Sequence, residues 1–434
     1  MAAGVAGQFF GSFGGFNMSL RWTAFIAAVG WSCGLASAQE PRVLTLDAAF
    51  SRTLERHPEF ARFNHLREVA RAAVEADGQR PPMRLEFELE NAPRSDQDSS
   101  FDTAEATLSL ASVIELGGKR DARVAVAEAQ VSALGLREEQ RRADLLAEVA
   151  RRYLDFVAAQ RMADLAATEV SQRQAVVDAI VTRVRAGATP ESVRLAAEAA
   201  LARATLQRDR LRGQTQAAAL RLAVLWNSRE PDFDRGAGDP LSVPATPSLA
   251  SLRELLESSP ELRRFADDSR VQEARVQLSR AAGSMDIDWR AGVRRLEEDG
   301  SWAAVLGVSI PLGSGSRAGP GVRAAQAELA ALSLEREAEE LSLEATLVDA
   351  HTRLSGATLA VVAARDVLLP KFEHAERASE RAFRAGALTY LEWAQVRSDV
   401  MSVRSEQLLA AVEAHRALIE IQRLTGSPFM RTQP

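Results

Sequence analysis

The stretch Arg185-Ala186-Gly187-Ala188-Thr189-Pro190 is the single interruption in an apolar-periodic segment running from Val124 to Leu225. Arg384-Ala385-Gly386-Ala387-Leu388-Thr389 is the single interruption in a second such segment, from Val322 to Leu424. At a shift of 198 positions, Val124-Ala125-Val126-Ala127-Glu128-Ala129-Gln130-Val131-Ser132-Ala133-Leu134 lies over Val322-Arg323-Ala324-Ala325-Gln326-Ala327-Glu328-Leu329-Ala330-Ala331-Leu332, so the chain reads as an internal duplication. No proline occurs from Gly118 to Arg185, and at about 1.5 Å per residue one helix over that span reaches on the order of 100 Å. Each segment is expected to be a long helix, a sharp turn and a returning helix. Gly187 and Gly386, each followed closely by Thr, supply the stop and restart of a helical hairpin.

The returning helix of the second copy shows what it packs against. Val396, Val400, Val403, Gln407, Ala410, Ala414, Ala417, Ile421 and Leu424 step by four and three, a 3.5-residue coiled-coil repeat. Met401, Ser405, Leu408, Val412, His415 and Ile419 form a second seam beside it. Two adjacent seams imply a helical neighbour on each side, as in a wall of helices. The first copy keeps the first seam as Ala197, Leu201, Ala204, Arg208, Leu211, Thr215, Ala218, Leu222 and Leu225, with a weaker second one.

The 434 residues are 46% hydrophobic but only 6% aromatic, which suits close helix packing better than a thick globular core. A net charge of −6 gives no basic footprint for nucleic acid. Arg21, the apolar run Trp22 to Ala36 and then Ala36-Ser37-Ala38 before Gln39 read as a signal peptide over residues 1–38, with Met18 as an alternative start. A lipoprotein signal at Cys33 is the alternative, but Gly30 stands where an aliphatic residue is usual. Cleavage after Ala38 removes the chain's one cysteine and with it any disulfide or thiolate site. Beyond the leader no stretch reaches the ~18 consecutive apolar residues of a transmembrane helix.

Leu44 to Asp77 is expected to be two helices broken at His57-Pro58, and Leu249 to Ala281 repeats the break at Ser259-Pro260. Both lead into segments of period two. Leu85, Phe87 and Leu89 alternate with Glu86, Glu88 and Glu90; Ile287, Trp289, Ala291 and Val293 alternate with Asp286, Asp288, Arg290 and Arg294. A second strand follows each loop, over Ala106 to Leu116 and over Trp302 to Leu312. Alternating strands of about 9–11 residues are the signature of a transmembrane barrel, yet four strands close none alone, since the smallest single-chain barrels need about eight. Because open edges are not tolerated in lipid, several copies must share the barrel. Residues 227–248, rich in Pro, Gly and Asp and without a period, read as a linker outside the helical wall between repeats at 39–226 and 249–426, with a tail at 427–434.

At this point the chain resembles the TolC family of bacterial outer-membrane efflux channels, from about Leu44 to Gly426. The resemblance rests on the order of elements, on Leu46-Asp47-Ala48-Ala49 with His57-Pro58-Glu59, and on Phe383-Arg384-Ala385-Gly386-Ala387-Leu388-Thr389-Tyr390-Leu391-Glu392. Glu86 to Asn91, Leu108-Ser109-Leu110 and Ile114-Glu115-Leu116-Gly117-Gly118-Lys119-Arg120 resemble its heavy-metal (cobalt–zinc–cadmium type) branch. The family implies an α+β, mostly α fold: long coiled-coil helices forming a periplasmic α-barrel, and four strands per chain in a shared transmembrane β-barrel. It further implies a homotrimer in outer-membrane lipids, and a periplasmic adaptor docked to an inner-membrane RND-type pump. Under this reading Arg185, Ala186, Gly187, Arg384, Ala385 and Gly386 are the adaptor-docking tips. Glu392 stands where the family places an acid near the aperture, whereas the first copy has Val193-Arg194 there.

Other motifs have plainer readings. Gly313-Ser314-Gly315-Ser316-Arg317-Ala318-Gly319 and Gly117-Gly118-Lys119-Arg120 lack the spacing of nucleotide or phosphate loops and read as strand–helix joints. His57, His65, His351, His374 and His415 show no metal-ligand spacing, so no metal site and no cofactor is expected. Asp96, Asp98, Asp102, Glu297, Glu298 and Asp299 read as solvated loop acids. No nucleophile–base set supports an enzyme. The expected function is a passive efflux conduit, with a channel for drugs or organic solutes or for type I secretion as one alternative and a poreless periplasmic coiled-coil scaffold as another.

Overall fold

The computed structural model describes residues 42–91 and 104–429. The expected signal peptide of residues 1–38, with Cys33, and the loop acids Asp96, Asp98 and Asp102 lie outside the described residues. After β1 (Val43–Leu44), helices α1 (Leu46–Arg56) and α2 (Pro58–Asp77) flank His57, whose ring Nδ1 accepts from Glu59 N to cap α2. Strands β2 (Arg84–Glu90) and β3 (Glu105–Ile114) follow, then α3 (Lys119–Arg185) and α4 (Glu191–Ala223). Next come β4 (Arg235–Gly236), α5 (Leu249–Glu257), α6 (Pro260–Ala281), β5 (Ile287–Leu296), β6 (Trp302–Ser309), α7 (Ser314–Ala363), α8 (Leu369–Arg384) and α9 (Tyr390–Thr425). The order helix, helix, strand, strand, long helix, returning helix is thus met twice.

The second long helix departs from the expected single interruption. A π-helical turn over Ala364–Leu368 separates α7 from α8. Pro370, in the first turn of α8, has no N–H to donate and its ring crowds the carbonyl four residues back, so the hydrogen-bond ladder slips by one residue. α3 contains no proline and runs unbroken for 67 residues.

The two seams of α9 face different partners. Leu408, Val412 and Ile419 join a core with Leu145, Val149, Phe156 and Val157 of α3. Ala414, Ala417, Ile421 and Leu424 join a core with Leu343, Leu347 and Leu354 of α7. α4, which has one strong seam, places Ala218 and Leu222 in the core with α3. Along its length α4 packs mainly on α3, and Leu195, Leu206 and Leu220 on it stay exposed.

Residues 227–248 are packed rather than loose. β4 pairs in parallel with β1, Val43 opposite Arg235 and Leu44 opposite Gly236. Tyr153 Oη sits 2.8 Å from the carbonyls of both Leu44 and Ala237, while Phe233 packs edge-on to Phe156 with ring centroids 5.1 Å apart. The stretch lacks a period because its backbone is held by side chains of α3 and α9, which impose none.

Candidate functional site

Two regions are the candidates for function: the sheet at one end of the helices and the hairpin turns at the other. The sheet is antiparallel in the order β2-β3-β5-β6, leaving β2 and β6 as edges. Register places Leu85, Leu110, Ala291 and Leu306 in one cross-strand row and Phe87, Leu108, Val293 and Ala304 in the next. This face is bare: Phe87 is 69% exposed and Leu306 82%. The opposite face carries Arg84, Glu86, Glu88 and Glu90 on β2, Glu105, Thr107 and Ser109 on β3, and Asp288, Arg290 and Arg294 on β5. A hollow of about 360 Å³ lies on it, lined in part by Arg84, Glu86, Asp288, Arg290 and Ser309. In water an apolar face of this kind is a liability. Facing lipid, with its charged side toward water, it is stable.

The Gly-Gly-Lys-Arg joint ties this sheet to the helices. Lys119 Nζ donates to Asp286 Oδ2 at 2.6 Å, and Arg123 grips Glu115 with two hydrogen bonds of 2.6 and 2.9 Å. Gly117, at φ 72°, lies so close to Ser284 that a Cβ would fall 1.8 Å from its Oγ. The second joint is open by comparison: at Gly313, φ 81°, a Cβ would meet only Ser316 Oγ at 3.7 Å.

The turns Arg185-Ala186-Gly187 and Arg384-Ala385-Gly386 close identically. Gly187 (φ 69°) donates to the carbonyl of Val184, and Ala188 to that of Arg183, both at 2.9 Å. Gly386 (φ 78°) donates to Phe383 at 3.1 Å and Ala387 to Ala382 at 2.9 Å. Both are Schellman closures, in which glycine takes the left-handed position cheaply. All six tip residues are exposed, Arg384 paired with Glu380 at 2.5 Å.

The restarts differ. α4 begins after Pro190 without a side-chain cap, whereas Thr389 and Glu392 form a reciprocal capping box at the start of α9. Thr389 N donates to Glu392 Oε2 at 2.9 Å. The hydrogen bond from the Thr389 side chain holds the Glu392 carboxyl below the usual carboxylate range, so it is ionised at neutral pH. The exposed acid therefore has a local structural role of its own.

Just inside the tips lies a cluster that the sequence reading missed. Trp393 stacks on Phe383 at 4.8 Å and 11°, packing with Tyr390 against Val177, Ile180 and Ala197 of the first hairpin. Arg183 places its guanidinium 5.1 Å from the Phe383 ring and donates to the Phe383 carbonyl at 3.2 Å. Arg397 donates to Gln172 at 2.6 Å. The signal was two aromatics, Phe383 and Trp393, in a chain otherwise poor in them.

His351, His415, Glu297 and Asp299 make local structural contacts. The Nε2 atoms of His351 and His415 lie 3.0 and 3.1 Å from the carbonyls of Pro247 and Pro240. Glu297 pairs with Arg295, and Asp299 accepts from Ser301 N. Among the described residues no group of three or more His, Cys, Asp or Glu side chains is placed to hold a metal, and no helix is long and apolar enough to cross a membrane.

A sheet with a bare apolar face, carried on a pair of long helical hairpins, defines a membrane-anchored channel protein. The chain belongs to the outer membrane efflux protein family, whose pattern matches residues 49–228 and 251–427. It is 27% identical over 335 residues to the cobalt-zinc-cadmium resistance protein CzcC of Cupriavidus metallidurans, covering 76% of this chain and 79% of that one. To the nickel and cobalt resistance protein CnrC of the same organism it is 29% identical over 261 residues, 58% of this chain and 61% of the relative. The crystal structure of CusC, a protein that forms a transmembrane channel, superposes with a TM-score of 0.74 at 14% identity, covering 88% of this chain and 92% of CusC. The protein is a channel rather than an enzyme, and it resides in the outer membrane with an extension into the periplasm.

Proposed function

We propose that the chain is the outer-membrane conduit of a tripartite system exporting heavy-metal cations. The observation that carries the assembly is the sheet, bare on its apolar face and open at both edges, β2 and β6. Three copies, joined edge to edge, make a closed barrel of twelve strands from the four in each chain, which leaves no unpaired backbone in lipid. The duplicated hairpins of the same three copies line a periplasmic tunnel, the exposed leucines of α4 meeting the next copy. The leader of residues 1–38 directs export and is removed after Ala38. Crosslinking and native mass spectrometry in detergent are expected to give trimers; a stable monomer with its strands intact overturns the shared barrel.

The hairpin tips lie about 100 Å from the sheet by the helical rise. Arg185, Ala186, Gly187, Arg384, Ala385 and Gly386 present small exposed surfaces and exposed guanidinium groups there, that of Arg384 held by Glu380, suited to a helical hairpin of a periplasmic adaptor bound to an RND-type pump. Bulky residues at Gly187 and Gly386 are expected to stop export and leave trimers intact. Glu392, placed near the aperture, sets a ring of three carboxylates; Glu392→Gln is expected to lower cation preference in planar bilayers, and unchanged conductance removes it from the pore.

Heavy-metal cargo is supported by the names of CzcC and CnrC. Expression with a cobalt–zinc–cadmium pump and adaptor is expected to restore metal tolerance to a strain lacking its channel. Restoration only of drug tolerance, with a drug pump, overturns the metal reading.

A further inference from the structure

The charged face of the sheet alternates between strands of long and strands of short side chains. β2 presents Arg84, Glu86, Glu88 and Glu90; β3 presents mainly Thr107, Ser109 and Ala111. β5 presents Asp288, Arg290 and Arg294, and β6 only Ala303, Val305, Gly307 and Ser309. Small barrels fill their interiors by this kind of alternation. The last strand, β6, is short-chained and open; the first, β2, is long-chained and open.

Within the chain this alternation already makes one crossing. Arg294 on β5 lies over the short strand β3, donating to Thr107 Oγ1 at 3.0 Å and to Glu105 at 2.5 Å, and reaches Glu90 on β2 at 3.1 Å. Cα positions two strands apart are about 10 Å apart, and an arginine and a glutamate leaning toward each other span that distance. Arg290 leans the other way. Its Cγ and Nε lie 3.0 and 3.1 Å from where a Cβ of Gly307 would stand, so its side chain runs across β6 toward the open edge. Among the described residues the ion pairs on this face are those of Arg294 with Glu90 and Glu105. Arg290, Glu86 and Glu88 take no part in them.

We infer that Arg290 of one copy crosses Gly307 and pairs with Glu86 and Glu88 on β2 of the next copy, so that the seam between subunits repeats the crossing made by Arg294 inside each one. This rests on the shared-barrel reading above. Charge complementarity selects the partner: β2 is the open edge that carries unpaired carboxylates on the face where Arg290 lies. Arg84, on the same face of β2, repels Arg290 and directs it toward the glutamate end. Asp288, two residues before Arg290 on the same face of β5, forms no ion pair with it, the arginine being turned over Gly307 instead. Gly307 lets the arginine lie close over the strand, since a side chain there would push it outward.

The test mixes two differently tagged full-length chains, one carrying Arg290→Glu and the other Glu86→Arg with Glu88→Arg. A seam between unlike chains restores opposite charges, whereas a seam between like chains sets like charges together. Native mass spectrometry of detergent-extracted trimers is expected to show mixed trimers above the random-mixing proportion. Random proportions, with wild-type trimers intact, overturn the inference; absence of trimers in wild type overturns the shared barrel instead. Should the reversed chains not assemble, neutral variants decide. Arg290→Gln and the Glu86→Gln, Glu88→Gln pair are each expected to lower the temperature at which trimers dissociate, and their combination to lower it no further than the worse of the two. Losses that simply add overturn the pairing.

Discussion

The two halves of the chain fold through the same order of elements, yet they are fixed differently. The first has a continuous α3, a joint clamped by Lys119–Asp286 and Arg123–Glu115, and a tip restarted by Pro190. The second has its long helix broken at Ala364–Leu368, an open joint at Gly313, and a tip held by Thr389, Glu392 and a stacked aromatic pair. One hairpin is braced along its length; the other is pinned at its end. A shared pattern of apolar residues thus sets a shared architecture, while local polar and aromatic residues decide where each copy is stiff.

Removing the pin is expected to have the largest effect. Trp393→Ala strips the stacked partner of Phe383 and leaves a cavity beside Ile180, costing about 3–5 kcal/mol locally; hydrogen exchange of residues 383–397 reads it. Exchange unchanged there, relative to α3, removes the cluster as the fastening. Moving the break from one hairpin to the other comes next. Gln172→Pro in α3 is expected to cost at least about 3 kcal/mol, with loss of the Arg397 hydrogen bond, whereas Pro370→Ala shifts stability by less than about 1 kcal/mol in a helix already accommodated around proline. Equal costs in thermal unfolding erase the distinction between the two helices.

The joints sharpen the comparison further. Gly117→Ala meets both a left-handed backbone and the Ser284 side chain, for about 3 kcal/mol; Gly313→Ala meets the backbone penalty alone, about 1 kcal/mol. The smallest effect concerns pH. Burial pushes the His415 imidazole below its ordinary 6.5, so the folded chain holds it neutral while the unfolded chain still takes up a proton. Stability from this group is full above about pH 6.5 and is lost as pH falls toward the lower folded value. The melting temperature is therefore expected to fall from pH 7.5 to 5.5 more steeply in wild type than in His415→Gln, and parallel slopes exclude it.

The paired seams of α9, the period-two strands and both glycine turns were legible in the sequence, because each is a repeat or local signature that backbone geometry reads directly. Val400 and Leu408 announce their faces by spacing alone. The sequence by itself therefore determined the element order, the hairpin turns and the two-faced strands, and the resemblance on those residues reached the family. Only the tertiary structure decided that residues 227–248 are packed, since Tyr153, Phe156 and His415 lie far from them in the chain and hold irregular backbone through single contacts. It likewise brought Arg183 to Phe383 and turned Arg290 toward Gly307. Such pairings depend on which strand or helix becomes the neighbour, and no local periodicity encodes a neighbour that, as for Arg183 and Phe383, lies 200 residues away. Pro370 was visible in the sequence, but whether it kinks a helix, ends it or slips its ladder by one residue depends on how α7 and α8 pack along α9.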